Sequence, residues 1–302
     1  FRRAHAEVFG ALDRYYTPFI SPLPKVGTPF SKRNSRELAP ANNEGFDVVP
    51  QLLTNDADRF VWAAELLADM GYEEVNLNLG CPSGTVVAKE KGSGLLRNPD
   101  RLEAFLVNVC ERSPLPVSVK TRVGIANGDE YGELLALFCR CGIAELIVHP
   151  RVQKDFYSGA PRQELYGKTL ERASFPVAYN GDIFTLDDYD ALLAAYPQTR
   201  HAMLGRGLLA NPALAREIRG GEGLTREELE RFHNELYQAY TDDMGGNAVF
   251  RMKEWWSYAK CAFADPSSVH RIMRKTRRAD EYEAAARKIF STEKLADSPR
   301  FS

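Results

Sequence analysis

Short apolar runs alternate with amphipathic segments along most of the chain. Seven runs rich in Val, Ile, Leu, Tyr and Phe have the length and composition of buried β-strands. They are Tyr16–Ser21, Asp47–Leu53, Glu73–Leu79, Pro116–Val123, Glu145–His149, Pro176–Asn180 and His201–Gly205. Helical periodicity is clearest over Asp56–Met70, which has Asn55 or Asp56 as N-cap and Gly71 after its end. Further helices are predicted over Phe1–Ala11, Asp100–Arg112, Glu130–Arg140 and Asp187–Ala195.

This alternation predicts an α/β fold around a parallel sheet, either a barrel or an open doubly wound sheet. Seven strands are one fewer than a (β/α)8 TIM barrel needs, and the chain opens on a helix. We therefore expect the first barrel strand to precede Phe1. The barrel is favoured because polar residues cluster at the ends of the strands, where barrel active sites lie.

The pattern changes after Arg219. Gly220-Gly221-Glu222-Gly223 interrupts it, and a capping box from Thr225 to Glu228 opens a region that contains only helical periodicity. The helices predicted there are Glu227–Tyr240, Val249–Phe263, Ser267–Arg278 and Tyr282–Phe290. We predict a TIM-barrel catalytic domain over residues 1–219 and a small all-α domain over residues 225–302.

Composition excludes several classes of protein. The 302 residues are 44% hydrophobic and 26% charged, and no apolar run approaches the roughly 18 residues that a membrane span needs. The five cysteines contain no CxxC pair, which argues against a zinc site or a disulfide framework. We expect a cytoplasmic protein without metal or membrane contact. The net charge of −2 means that any nucleic acid must be bound by a local patch.

Polar, basic or glycine residues end six consecutive predicted strands. These ends are Gln51, Asn78 to Pro82, Lys120 to Arg122, His149 to Arg151, Asn180 to Asp182 and Gly205 to Gly207. Each taken alone is a weak signal, because such residues often only form turns. In a barrel the six ends converge on one mouth, so together they predict a binding site there.

The last two of these ends contain the glycines that barrels commonly use to bind phosphate, and Arg206 adds positive charge. Lys120, at an earlier strand end, could neutralise charge on the ring of a ligand. Flavin mononucleotide (FMN) fits both features, with its phosphate at the last two strands and its ring over the mouth.

The ordered set of motifs resembles the tRNA-dihydrouridine synthase family. The motifs are Asn78-Leu79-Gly80-Cys81-Pro82, Gly92-Ser93-Gly94-Leu95-Leu96, Val119-Lys120-Thr121-Arg122-Val123-Gly124, Val148-His149-Pro150-Arg151, Asn180-Gly181-Asp182-Ile183 and Leu204-Gly205-Arg206-Gly207. Segment Arg251–Tyr258 is similar to part of the family's helical C-terminal domain. Pro150 stands where the family usually has glycine, and the family's Ala-Pro-Met first strand has no counterpart.

The resemblance implies that NADPH reduces bound FMN and that hydride then passes to C6 of a uracil in tRNA. It implies that Cys81 is the general acid at C5, a role that a thiol can fill because it is protonated near neutral pH. The residues implied to hold FMN are Gln51, Lys120, His149, Asn180, Gly181, Asp182, Gly205 and Arg206. Those implied to face the uracil and its strand are Asn78, Arg122 and Arg151. The loop Ser83–Gly94 would close over the base, with Gly92 and Gly94 allowing it to move.

A basic segment in the C-terminal region is the candidate tRNA-binding surface. Between Arg251 and Arg278 eight basic residues face two acidic ones, a local charge of +6. Arg271, Arg274, Lys275 and Arg278 recur at three- and four-residue spacing, which would place them along one face of a helix. The partner expected from this patch is tRNA. The sequence leaves the oligomeric state open, and we favour a monomer.

Two alternatives share part of this evidence. An FMN-dependent dehydrogenase of free pyrimidines, of the dihydroorotate or dihydropyrimidine type, would need the flavin site but no basic helical region. A non-catalytic RNA-binding protein with a relic flavin site would have no need of an intact Cys81 and Lys120.

Overall fold

The computed structural model describes residues 1–24 and 26–301. These residues form two compact units, and the two are described separately here. The strand unit consists of Asp13–Gly181 together with Gln198–Met203. The helical unit consists of Phe1–Leu12, Asp182–Pro197 and the residues from Leu204 onwards.

All the β-strands belong to the strand unit. They are β1 (Tyr15–Tyr16), β2 (Val48–Val49), β3 (Gln51–Leu52), β4 (Val75–Leu79), β5 (Val117–Arg122), β6 (Glu145–His149), β7 (Val177–Tyr179) and β8 (His201–Ala202). Six of the seven predicted runs contain a strand, and the run Tyr16–Ser21 overlaps β1 only at Tyr16. Pro50 divides one run into β2 and β3, because proline cannot donate to the ladder.

Every pairing between strands is parallel and joins neighbours in the chain. Strands β3 to β8 form one six-stranded sheet in sequence order, and β1 pairs with β2. A parallel bridge between Ile20 and Leu52 adds the chain after β1 to β3. The prediction of a parallel α/β sheet is confirmed. Strands β4 to β7 are buried at every position except Lys120 of β5, which is half-buried. This burial explains why most of their residues are apolar or small and polar.

The helices are α1 (Arg2–Phe9), α2 (Lys32–Leu38), α3 (Pro40–Asn43), α4 (Ala57–Asp69), α5 (Gly84–Val87), α6 (Pro99–Arg112), α7 (Tyr131–Arg140), α8 (Gln163–Arg172), α9 (Leu186–Ala195), α10 (Arg206–Ala210), α11 (Leu214–Ile218), α12 (Arg226–Met244), α13 (Ala248–Ala259), α14 (Pro266–Met273) and α15 (Ala279–Thr292). Short 3-10 turns span Gly92–Arg97, Gln153–Asp155, Gly245–Asn247 and Lys260–Ala262. The predicted caps are present: Asp56 accepts from the backbone of Arg59, and Thr225 and Glu228 form the capping box.

The helical unit has its own aromatic core, which includes Phe232, Trp256 and Tyr282. His233 lies in it, with its Nε2 2.6 Å from the hydroxyl of Tyr282, and the indole of Trp256 donates to the same hydroxyl at 3.0 Å. The Nδ1 of His233 lies 2.9 Å from the Oδ1 of Asn234, which can only accept, so the neutral ring carries its proton on Nδ1 and its Nε2 accepts from the Tyr282 hydroxyl. Burial lowers the pKa of His233 to about 4, which agrees with the neutral form.

One predicted helix in this unit was too long. The run Ser267–Arg278 does not continue past Met273, and Arg278 is instead the N-cap of α15. The turn between α14 and α15 is held by Lys253, whose Nζ donates to the carbonyls of Arg274 and Thr276 at 2.9 Å each. Arg271, Arg274, Lys275 and Arg278 therefore do not lie along one helical face; the last three lie in or at the end of the turn. All four side chains are exposed.

Candidate functional site

A pocket with a volume of about 180 Å³ opens at the carboxyl ends of the strands in the strand unit. Its walls include Asn78 of β4, Cys81 just after that strand, Lys120 and Arg122 of β5, and His149 of β6. The remaining walls come from loops and include two exposed aromatic side chains, Phe19 and Tyr157. The sequence-predicted thiol, lysine and histidine are thus brought together.

A chain of side-chain amides crosses the floor of these strand ends. Gln51 donates to the Oδ1 of Asn76 at 2.9 Å and accepts from the Nδ2 of Asn78 at 2.7 Å. Asn76 in turn donates to the hydroxyl of Ser118 at 2.9 Å. All four side chains are buried, so the network fixes the polar groups that face the pocket and its floor. Sequence reasoning missed Asn76 and Ser118, although the two-residue spacing of Asn76 and Asn78 places them on one face of β4.

Cys81 is half-buried, and its backbone is anchored on both sides. Its N–H donates to the Oδ1 of Asn78 at 2.9 Å, and its carbonyl accepts from the Ser93 hydroxyl at 2.8 Å and the Ser93 N–H at 3.1 Å. The turn that presents the thiol to the pocket is therefore held by hydrogen bonds within the protein itself. Sequence reasoning assigned no role to Ser93.

Gly92 and Gly94, predicted to let the loop move, are closely packed in this structure. Both are buried, and a Cβ on Gly92 would lie 2.9 Å from the carbonyl oxygen of Cys81, while one on Gly94 would lie 3.0 Å from that of Val87. Gly92 also has a φ of 55°, in the left-handed region that favours glycine. These glycines allow the chain after Cys81 to pack closely against α5 and the strand end.

Lys120 faces the pocket without a hydrogen-bond or ion-pair partner among residues 1–24 and 26–301. Burial lowers the pKa of its ammonium to about 8, and the positive charge of Arg122 adds to the effect. A buried ammonium is costly unless an anion compensates it. The site therefore fits a ligand group that carries negative charge, as the ring of a reduced flavin does.

His149 is the centre of a hydrogen-bonded row beside the lysine. The amide of Asn180 donates to the carbonyl of Met203 at 2.8 Å, which leaves its Oδ1 to accept from the Nδ1 of His149 at 3.3 Å. The Nε2 of His149 then accepts from Arg151 at 3.4 Å. Burial, together with the charges of Lys120 and Arg122, lowers the pKa of His149 to about 2, so the imidazole is neutral.

The two arginines predicted to face the uracil bind backbone carbonyls in this structure. Arg122 donates to Gly80, Val152 and Phe156, at 2.9, 2.9 and 2.6 Å. Arg151 donates to the carbonyls of Ser158 and Gly159. Both side chains are buried, and burial lowers the pKa of Arg122.

The residues predicted to hold the phosphate divide between the units. Gly181 ends the strand unit, whereas Asp182, Gly205 and Arg206 belong to the helical unit. Within the helical unit Arg206 forms an ion pair with Asp182 at 2.7 Å. Its guanidinium also lies 5.6 Å from the ring of Phe184 and 5.3 Å from that of Phe301, distances typical of cation–π contacts. A Cβ on Gly207 would come within 1.9 Å of the carbonyl oxygen of Ile183, so only glycine fits there.

Residues 1–24 and 26–301 contain no group of three or more His, Cys, Asp or Glu side chains placed to hold a metal ion. No helix among them is both long and apolar enough to cross a membrane.

Comparison with known proteins agrees with the strand-end motifs. A model of the dihydrouridine synthase family, Dus, matches residues 1–292. The chain belongs to this family. It is 29% identical over 262 residues to a tRNA-dihydrouridine(16) synthase of Neisseria meningitidis serogroup A, covering 81% of this chain and 77% of that protein. It is 30% identical over 263 residues to the enzyme of the same name from Pseudomonas putida, covering 82% of this chain and 80% of the relative.

A tRNA-dihydrouridine(20/20a) synthase of Xanthomonas campestris is 31% identical over 215 residues, 65% of this chain and 62% of that protein. Among solved structures, a variant of NCR from Zymomonas mobilis aligns with a TM-score of 0.51 at 16% identity, covering 76% of this chain and 83% of that one. That likeness concerns the fold alone.

Family membership confirms the recognition made from the sequence motifs and the prediction of an FMN-dependent oxidoreductase that uses NADPH. It supports tRNA-dihydrouridine synthesis and gives no support to the alternative of a free-pyrimidine dehydrogenase.

Proposed function

We propose that this chain reduces a specific uridine of tRNA to 5,6-dihydrouridine, in the cytoplasm and as a monomer. The observation that carries the proposal is a pocket at the strand ends whose walls hold the thiol of Cys81 and the ammonium of Lys120, and this ammonium has no hydrogen-bond or ion-pair partner in the part of the chain that the structure describes. Saturation of a uracil ring needs both a proton donor at C5 and a group that tolerates negative charge nearby.

When bound, FMN supplies the hydride for C6 of the uracil after its own reduction by NADPH. Cys81 supplies the proton to C5, from a position fixed by Asn78 and Ser93. Lys120 neutralises charge on the bound cofactor, and Gln51, His149, Asn180 and Gly181 complete its surroundings in the strand unit. Backbone groups at Asp182 and Gly205 and the guanidinium of Arg206 would hold its phosphate. We place Asn78, Arg122 and Arg151 on the side of the pocket that the uracil would occupy.

We assign the FMN-binding barrel to residues 1–219 and tRNA binding to residues 225–302. A (β/α)8 barrel is supported by parallel pairing between chain neighbours, β1 with β2 and β3 through β8 in order, and by the pocket at the carboxyl ends of the strands. The tRNA site is supported by the exposed charges of Arg271, Arg274, Lys275 and Arg278.

The test is reconstitution of the reaction. Purified protein loaded with FMN is given NADPH and either an unmodified tRNA transcript or a free pyrimidine, uracil or orotate, and dihydrouridine in the tRNA is mapped by mass spectrometry. We expect tRNA-dependent oxidation of NADPH and a gain of two mass units at one uridine. Turnover of the free pyrimidines without turnover of tRNA would refute the proposal in favour of the alternative.

A further inference from the structure

The peptide group between Gly80 and Cys81 is hydrogen-bonded at both of its polar atoms. Its carbonyl oxygen accepts from the Nε of Arg122 at 2.9 Å, and its N–H donates to the Oδ1 of Asn78 at 2.9 Å. A peptide plane held at both ends cannot rotate without breaking one of these bonds. Because the Cα of Cys81 directly follows this plane, the direction of the thiol depends on both partners.

The other end of Arg122 holds the loop that forms the opposite wall of the pocket. Its two Nη atoms donate to the carbonyls of Val152 and Phe156, at 2.9 and 2.6 Å. Its guanidinium carbon lies 5.3 Å from the centre of the Tyr157 ring. The side chain of Arg122 is only 2% exposed, so these contacts are made away from bulk water, where charge-assisted hydrogen bonds are strong.

The loop needs such an anchor because of its own conformation. Phe156 has a φ of 50°, which residues other than glycine rarely adopt, and its side chain and that of Tyr157 are 52% and 53% exposed. Burial of these side chains therefore contributes little to holding the loop. The hydrogen bond from Arg122 to the Phe156 carbonyl stabilises the loop in place of side-chain burial.

We propose that Arg122 is a positioning residue that joins the Cys81 strand end to the loop 152–157, so that the acid and the aromatic wall of the pocket keep a fixed relative position. The inference rests on the proposed function for the role of Cys81. It differs from the expectation that Arg122 binds the uracil directly, because the donors that the structure shows in use are directed at the protein backbone.

Arginine is required for this arrangement because its planar fork presents donors in three directions at once. The ammonium of a lysine is a single point that cannot reach Gly80, Val152 and Phe156 together. Arg122→Lys therefore keeps the charge of the pocket and removes the connection, whereas Arg122→Met removes both.

The experiment measures the two walls separately on the purified flavoprotein, with no tRNA present. The rate at which iodoacetamide alkylates Cys81 is followed by peptide mass spectrometry, with the exposed Cys139 as internal standard and the buried Cys261 as a probe of general loosening. Cleavage by chymotrypsin after Phe156 or Tyr157 reports on the loop.

We expect Arg122→Lys to raise both rates by about tenfold, since breaking a hydrogen bond to a charged group shifts a local opening equilibrium by about that factor. Arg122→Met should do the same. The matched control is Arg162→Lys, because Arg162 holds Asp155 of the same loop and does not touch the strand end. This control should raise cleavage alone and leave the alkylation of Cys81 unchanged.

An alkylation rate of Cys81 in Arg122→Lys within about twofold of wild type would overturn the inference, and a raised KM for tRNA in that variant would then assign Arg122 to the substrate. Equal acceleration at Cys261 would overturn it as well, since that result means a general loss of stability. The alkylation and cleavage measurements use no tRNA. Their result can therefore be interpreted even if the reconstituted protein fails to modify tRNA.

Discussion

The amide oxygen of Asn78 accepts a hydrogen bond from the backbone N–H of Cys81 at 2.9 Å, three residues along the chain. The same oxygen accepts from the N–H of Gly80 at 3.1 Å, so one side chain closes the turn that ends β4. The other end of the Asn78 amide donates to Gln51. The strand end that carries the thiol is therefore tied to the polar network beneath the pocket before any substrate arrives.

Replacement of Cys81 should separate the two half-reactions. In Cys81→Ala we expect FMN content and the reduction of the flavin by NADPH to be unchanged, while dihydrouridine formation falls by about 10²–10⁴-fold, the usual contribution of a positioned acid. Stopped-flow reduction and mass-spectrometric mapping measure the two steps. Cys139→Ala, which changes an exposed thiol, serves as the control. Wild-type turnover of tRNA by Cys81→Ala would show that another group supplies the proton.

The affinity for FMN should depend on pH through Lys120. Burial lowers the pKa of this ammonium to about 8, so the protein without ligand loses the charge as pH rises through that value. An anionic ligand binds the charged form more tightly, and we expect the Kd for FMN to rise between about pH 8 and 10. Lys120→Met should bind more weakly and should lose this pH dependence, as fluorescence titration of the flavin would measure. The control is Lys89→Met, since Lys89 is exposed. Equal pH dependence in wild type and Lys120→Met would contradict the assignment.

Acid should destabilise the protein through its buried histidines. Burial lowers the pKa of His233 to about 4 in the folded state, against the 6.5 that is usual for a histidine, so the unfolded chain binds more protons between these limits. Stability is then full above pH 6.5 and is lost as pH falls toward 4, at about 1.4 kcal/mol per pH unit for the single group.

The variant His233→Gln tests this linkage. We expect it to be less stable at pH 7, because the hydrogen bond with Tyr282 is changed, but to lose less stability between pH 6.5 and 4.5. Denaturant titrations at several pH values give the slope, with His270→Gln as the control because His270 is exposed. His5 is buried with its pKa lowered to about 4 as well, so a slope will remain in the variant. A slope identical to that of wild type would disprove the role of His233.

The affinity for tRNA should fall as the salt concentration rises, because of the exposed basic residues at the end of α14 and in the turn that follows it. The triple variant of Arg271, Arg274 and Lys275 to alanine should flatten the dependence of log K on log salt by up to about one unit for each lost phosphate contact. NADPH oxidation by the bound flavin should be unaffected. Arg278 forms an ion pair with Asp280 at 3.0 Å, so its separate replacement should have a smaller effect. Arg231→Ala, which removes an exposed arginine paired with Glu235 at 2.8 Å, is the matched control. An unchanged salt slope in the triple variant would place the RNA site elsewhere.

The sequence by itself determined the parallel α/β fold, the order of the strands and the residues at their ends. Periodicity and capping are local properties, and they predicted α4 to within one residue at each end and the capping box of α12. They failed where other parts of the chain decide the outcome. Helix α14 stops at Met273 because Lys253, about twenty residues earlier, binds the carbonyls of the following turn.

Tertiary structure alone decided what the strand-end residues do. The motif containing Arg122 marked it as a pocket residue, but its three carbonyl partners lie 30 to 42 positions away, and no pattern in the sequence connects them. Gly92 and Gly94 were interpreted as hinges, yet the backbone of Cys81 and Val87 packs against the space where their side chains would be. Sequence specifies which groups are available at a strand end, whereas hydrogen-bond partners and close contacts are set by chain segments that meet only in the folded protein.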